Sequence, residues 1–259
     1  MEERAQSTIS LLDIQFNDYT LPELLAAVRE GVGARDRRII ANHNLHSLFL
    51  FHRNLRLREF YRLVHSSHID GMPLVWIARK YGYDVSRDRR ITYVDFSPPL
   101  LEMANQEHWR IFYIGSRPEA CVAGTEAVRV RYPGIKWEAT NGYFDMTRTG
   151  AANQDLVRRI RKFAPDILMV GMGMPRQEQW IAENHADIEV GVILPCGAAI
   201  DYIAGAVPTP PRWAGRMGLE WLFRLFAEPR RLASRYLIEP WYVIGLLLRD
   251  RLKRVAAPK

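Results

Sequence analysis

The chain has 259 residues, 48% hydrophobic and 25% charged, which is the balance of a folded protein and enough length for one large core. Two cysteines, Cys121 and Cys196, are too few for a disulfide framework, and the polar, acidic start has no apolar signal region, so a cytosolic location is expected. The net charge of +7 is confined to residues 207–259, which hold eleven of the 36 Lys and Arg but four of the 29 Asp and Glu, leaving 25 of each elsewhere.

In chain order, Thr20-Leu-Pro-Glu23 reads as a capping box that opens a helix running to about Val32. A short strand over 38–41 leads into a polar turn, Asn42-His43-Asn44. Residues 54–66 have helical spacing, with Leu57, Phe60, Tyr61 and Val64 on one face. Asp70-Gly71-Met72-Pro73 then opens a helix over 74–81. A strand over 109–114 ends at Gly115, a helix starts near Pro118, and 135–140 is a further strand. Residues 151–163 form a basic amphipathic helix, 167–170 an apolar strand, 175–185 the next helix and 190–194 the last clear strand. Strands alternating with helices predict an α/β fold, a Rossmann-like parallel sheet flanked by helices. Ligands of such sheets bind beyond the carboxyl ends of the strands.

The turns at that edge hold the unusual chemistry. Gly171-Met-Gly173-Met-Pro175-Arg-Gln177-Glu178 follows a strand and opens a helix, where glycines admit a ligand to the backbone and free N–H groups attract phosphate. Arg176 occupies the place of a third glycine, so this is no dinucleotide fingerprint, and a plain strand-to-helix turn is an equal reading. Asp70 is either an N-cap, the commoner role, or a general base for an acceptor hydroxyl. His43/His46 and His65/His68 have i, i+3 spacing, but no Cys or acidic cluster completes a metal set, and Asp-x-Asp, Gly-x-Ser-x-Gly and P-loop motifs are all missing.

After about Gly205 the character changes. The expected organisation is a core over 1–205 and a basic helical appendage over 206–259. Arg224, Arg231 and Arg235 are seven and four residues apart, so they share a face if one helix continues through Pro229. Guanidinium groups suit a departing diphosphate. The apolar run 241–248 is too short to cross a bilayer, which needs about 20 residues, but aromatic and aliphatic residues between arginines suit a helix lying in the membrane interface.

Several of these motifs occur together in one known family. Asn44, Asp70-Gly-Met-Pro, Asn141-Gly142-Tyr143-Phe144, the Gly171–Glu178 string, Gly197-Ala-Ala-Ile-Asp201 and Gly218-Leu-Glu-Trp-Leu-Phe-Arg224-Leu-Phe-Ala-Glu-Pro-Arg-Arg231 follow one another in the order seen there. From Leu11 to Tyr236 the chain resembles the WecG/TagA/CpsF glycosyltransferases. The resemblance implies an inverting, metal-independent transfer from a UDP-sugar to a polyprenyl-diphosphate-linked acceptor in cell-surface polysaccharide synthesis. It makes Asp70 the base, which overrides the cap, and puts Gln177, Asn42 and Asn44 in the catalytic set. It places Gly115, Gly142, Tyr143, Phe144, Gly171, Gly173, Pro175, Glu178 and Asp201 against substrate, with Arg224, Arg231, Arg216 and Arg235 closing over the diphosphate.

Three departures surround the presumed sugar pocket. The first turn has Asn42 where the family usually has Thr, Thr209-Pro-Pro211 stands in place of Arg-Ala-Pro, and Thr92-Tyr-Val-Asp95 stands where Thr-Gly-x-Asp is frequent. The partners expected are a UDP-sugar, a lipid-linked saccharide, the inner-membrane surface and, if the appendage closes only at the membrane, a second copy of the chain. No nucleic acid and no cofactor are expected. The alternatives are a nucleotide-sugar epimerase or dehydrogenase, which lacks its glycine fingerprint, and a basic nucleic-acid-binding protein, whose basic residues are here interleaved with bulky aliphatics.

Overall fold

The structure, a computed structural model, describes residues 8–207, 220–227 and 229–256. Strands β1 (Thr8–Leu11) and β2 (Ile14–Asn17) form an antiparallel hairpin. The central sheet consists of β3 (Arg38–His43), β4 (Ser66–Ile69), β5 (Arg110–Gly115), β6 (Lys136–Thr140), β7 (Ile167–Gly171) and β8 (Val192–Pro195). All are parallel, in the order β4-β3-β8-β7-β5-β6. Helices α1 (Leu21–Ala34), α5 (Tyr93–Gln106), α6 (Pro118–Arg131) and α9 (Ala199–Ile203) cover one face with Ile40, Ile111, Tyr113, Ile167, Met169 and Val192. Helices α3 (Leu55–Leu63), α7 (Ala151–Phe163) and α8 (Arg176–Asn184) cover the other with Ile39, Ala41, Phe112, Ile114, Leu168 and Val170. Successive residues of the inner strands enter opposite clusters, as a doubly buried sheet requires.

The connection after β5 leads through α6 to β6 on one side, and that after β7 leads through α8 to β8 on the other. Because α6 and α8 lie on opposite faces, the crossovers diverge between β5 and β7 and open a crevice beyond Gly115 and Gly171.

A third cluster joins the hairpin to α2 (Leu45–Arg53), α4 (Met72–Lys80) and the last helix, α12 (Glu239–Ala256), through Leu48, Val75 and Val243. Helix α12 is preceded by α10 (Glu220–Ala227) and α11 (Pro229–Leu237). Pro229 is the first residue of α11, so the single continuous helix needed to align Arg224 with Arg231 and Arg235 is not formed. Arg224 and Arg231 belong to these helices, but their side chains, like all of Arg216 and Thr209-Pro-Pro211, lie outside the described residues.

Two further expectations are corrected. The polar turn at 42–44 is strand as far as His43, whose ring stacks on Tyr61 at 4.0 Å, so neighbouring elements satisfy polar side chains that read as loop. The helix over 54–66 stops at Leu63, and Ser66 already belongs to β4.

Candidate functional site

Asp70 follows β4 directly. Its amide donates to His43 O at 2.8 Å, and its carboxylate oxygen Oδ2 accepts from Asn42 Nδ2 at 2.9 Å and Asn44 Nδ2 at 3.3 Å. Gly71, at φ +115°, is the residue that caps α4, so the N-cap reading of Asp70 fails. Asn44 serves two elements, since its Oδ1 caps α2 by accepting from Ser47 N at 3.0 Å while its Nδ2 faces Asp70. Two amide donors on one carboxylate oxygen hold the group in one orientation and leave Oδ1 for a proton.

The crevice floor is main chain. A Cβ on Gly115 would lie 2.4 Å from Gly171 O, and one on Gly171 would lie 2.5 Å from Gly197 O, so neither position accepts a side chain. Gly142 rests against Gly115 and donates to Ser116 O at 3.0 Å. Next to it Tyr143 is 65% exposed, while Phe144 packs into the second face cluster.

Gln177 is buried, and its Oε1 accepts from both Gly173 N and Gly197 N at 3.1 Å. It therefore ties the turn after β7, with Gly173 and Pro175, to the turn after β8. Its Nε2 donates to Glu178 Oε1 at 2.7 Å. Burial pushes the Glu178 carboxyl up to about 7, against the Gln177 amide and the more distant charge of Arg235, and Oε2 has no hydrogen-bond partner among the described residues. Arg176 donates to Gly142 O at 3.0 Å, joining a third turn to the same edge. Asp201 stands in α9, and its carbonyl accepts from Ala206 and Val207.

The structure thus gathers Asp70, Asn42 and Asn44 at one end of the carboxyl edge and Gly115, Gly142, Gly171, Gly173 and Gln177 along the rest of it. Arg235, in α11, is near enough to influence Glu178, which brings the appendage to the same edge. Arg90 was not singled out in the sequence. It pairs with Ile69 in a β-bridge one residue before Asp70, and its largely shielded guanidinium lies 3.5 Å from the half-exposed Asp95. The run Arg87-Asp-Arg-Arg90 is its only signal, and in sequence that reads as a solvated face. Among the described residues no group of three or more His, Cys, Asp or Glu is placed to hold a metal ion.

The sequence that builds this edge matches a family model over nearly its whole length. Residues 9–257 fit that of the glycosyl transferase WecG/TagA/CpsF family. The chain belongs to this family. It is a glycosyltransferase. Curated relatives include the N-acetylglucosaminyldiphosphoundecaprenol N-acetyl-beta-D-mannosaminyltransferases of Staphylococcus aureus strains NCTC 8325 / PS 47 and MRSA252. Each is 24% identical to this chain over 244 residues, covering 90% of both.

Proposed function

We propose that the chain transfers a sugar from a UDP-sugar to a saccharide carried on a polyprenyl diphosphate, with inversion and without a metal. The observation that carries this reading is the Asp70 carboxylate, oriented by Asn42 and Asn44 on the same sheet edge as the glycine floor. From β4 to β7 is three strand spacings, roughly 14 Å, comparable to the span of a nucleoside diphosphate with its sugar. The diphosphate then lies over the crevice and the anomeric carbon near Asp70.

Asp70 takes the proton of the acceptor hydroxyl while that oxygen bonds to the anomeric carbon. The bond from this carbon to the β-phosphate oxygen breaks, and UDP leaves with the electron pair. Arginines of the appendage neutralise the charge that develops on it.

The names of the relatives support a lipid-diphosphate acceptor. No helix among the described residues is long and apolar enough to cross a membrane. Helix α12, however, leaves Trp241, Ile244, Leu248 and Leu252 exposed at helical spacing, beside Arg249, Arg251 and Lys253. That pattern supports peripheral attachment to an anionic, cytoplasmic membrane surface.

Asp70→Asn is the decisive variant. Transfer is abolished while UDP still raises the melting temperature; full transfer by this variant removes the mechanism. Activity that survives EDTA supports the metal-free reading, and activity that EDTA destroys and Mg²⁺ restores ends it.

A further inference from the structure

The last helix and the N-terminal hairpin border an open cavity of about 470 Å³, a size within the roughly 300–1,000 Å³ of small-ligand sites. It is separate from the glycine-floored crevice. His52, which lines it, stands at the far end of α2 from Asn44, about 12 Å along the helix. On the hairpin, Ile9, Leu11, Ile14 and Phe16 are buried, and the exposed cross-strand pair Ser10 and Gln15 lines the cavity. His52 Nε2 donates to Leu12 O at 2.9 Å and holds the turn in place.

The other wall is α12. At about 3.6 residues per turn, the exposed Trp241, Ile244, Leu248 and Leu252 share one face of this helix, and Val243 and Asp250 turn to the body. Arg249 and Lys253, both exposed, fall on the flank between them and line the cavity. Its charges do not cancel. Asp250 accepts from the Tyr81 hydroxyl at 2.7 Å and from Arg254 Nε at 2.8 Å, and the Arg254 guanidinium lies over the Tyr81 ring at 4.5 Å, so this acid and this base are occupied. The side chains of Arg249 and Lys253 form no ion pair or hydrogen bond among the described residues. Against them stands one free carboxylate, the exposed Asp13 of the hairpin turn. One positive charge is left over.

We propose that this cavity binds the phosphate of an anionic phospholipid head group, held by Arg249 and Lys253. The proposal rests on the peripheral-membrane reading above. A phosphodiester carries one negative charge, which matches the surplus, and makes charge-assisted hydrogen bonds to both cations. A lipid is the source because the apolar face adjoins these cations on the same helix. With that face sunk into the acyl boundary, Arg249 and Lys253 lie at the depth of the head groups. The Ser10 hydroxyl and the Gln15 amide can pair with the hydroxyls of a glycerol head group. Such a clasp adds what apolar contact lacks, since burial of hydrocarbon is non-directional and leaves a helix free to roll about its axis. Glu239, at the start of α12, is tied to His46 beside Asn44, and Lys253 lies about 20 Å further along. A head group gripped on one flank therefore fixes the angle at which the carboxyl edge of the sheet meets the membrane.

The test is co-sedimentation of the full chain with phosphatidylcholine vesicles, with and without phosphatidylglycerol. Any basic residue near an anionic surface strengthens binding about fivefold, wherever it stands. Arg251 is on the other flank, so Arg251→Gln removes the same charge and measures that general effect. Arg249→Gln is expected to weaken phosphatidylglycerol-dependent binding about fivefold more than Arg251→Gln does. Ser10→Trp fills the cavity without altering charge and is expected to weaken it to a similar extent, with the Kd for UDP unchanged. Equal losses in Arg249→Gln and Arg251→Gln, or full binding by a folded Ser10→Trp chain, overturn the site and leave the membrane reading standing. Absence of binding to either vesicle removes the membrane reading itself. A melting temperature raised by glycerol phosphate in solution, with no gain from phosphatidylglycerol in the vesicle, assigns the cavity to a free phosphate and overturns the lipid.

Discussion

Asn42, the last residue but one of β3, donates its side-chain amide to the Asp70 carboxylate at 2.9 Å, although 28 residues separate the two. Asn42 is itself fixed, since its carbonyl accepts the Tyr61 hydroxyl at 2.9 Å. The Asp70 carboxylate is therefore oriented from the neighbouring strand, and with it the base of the proposed transfer. Asn42→Ala is expected to lower kcat by about 10- to 100-fold, the worth of one hydrogen bond to a charged group, with little change in KM for the donor. Steady-state kinetics separate this from a binding role, which would move KM first.

Gln177 satisfies two backbone amides with one oxygen. Gln177→Ala strands both and is expected to lower stability by about 1–3 kcal/mol and to weaken UDP binding, because the Gly173 and Gly197 turns lose their common tie. Urea denaturation and a UDP titration check the two effects separately. Unchanged UDP affinity would show that the turns keep their places without it.

Glu178 gives a pH prediction. Its folded carboxyl sits near 7, against 4.5 as a free side chain, so the folded state holds the proton more tightly than the unfolded chain. Stability from this group is intact below 4.5, falls as pH rises towards 7, and above that is lost by at most about 3 kcal/mol. Glu178→Gln keeps an oxygen that can accept from Gln177 and removes the penalty. Its melting temperature is expected to exceed that of the unaltered chain at pH 8 and to match it at pH 4.

His46 Nδ1 lies 2.7 Å from Glu239 Oε2, both side chains being largely shielded, and links the first turn of α2 to the start of α12. Glu239→Ala is expected to loosen the last helix. Limited trypsin digestion should cut faster at Arg249 and Arg251 while the sheet resists, and an unchanged pattern would show that the apolar contacts of Val243 suffice.

The outer face of α12 is tested by Trp241→Glu with Leu248→Glu. The expected outcome is loss of co-sedimentation with vesicles containing anionic lipid, by about tenfold, with UDP binding preserved. Retention of vesicle binding would place the membrane contact elsewhere.

The elements legible in the sequence were those whose local signals agree. The capping box at Thr20 and Glu23 forms both of its bonds, and the apolar runs 111–114 and 167–170 are interior strands. Strand β4, Ser-Ser-His-Ile, was not legible. Ser67 is satisfied there because the hairpin supplies Asn17 and Gln15 as its partners, and no local pattern encodes that. Helix α5 was hidden by Pro98 and Pro99, which break the helix signal, yet Phe96, Leu100, Leu101 and Ala104 bury a face that outweighs the missing hydrogen bonds. Helix α2 was lost when its cap, Asn44, read as part of a turn. For the candidate site, motif strings singled out the glycines, Asp70 and Gln177, which the fold brings to one edge. They could not tell that Gln177 points inward as a tie, because that depends on where the turn after β8 comes to rest.

The crevice floor and the carboxylate at its end are held by different materials. Peptide backbone at Gly115, Gly171 and Gly197 forms the floor, and one substitution there forces a Cβ into a neighbouring carbonyl or strains a turn. Side chains alone, those of Asn42 and Asn44, orient Asp70. Drift in such a lineage would therefore fall unevenly. The floor is frozen by geometry, while a donor that orients the carboxylate can be replaced by another donor of similar reach.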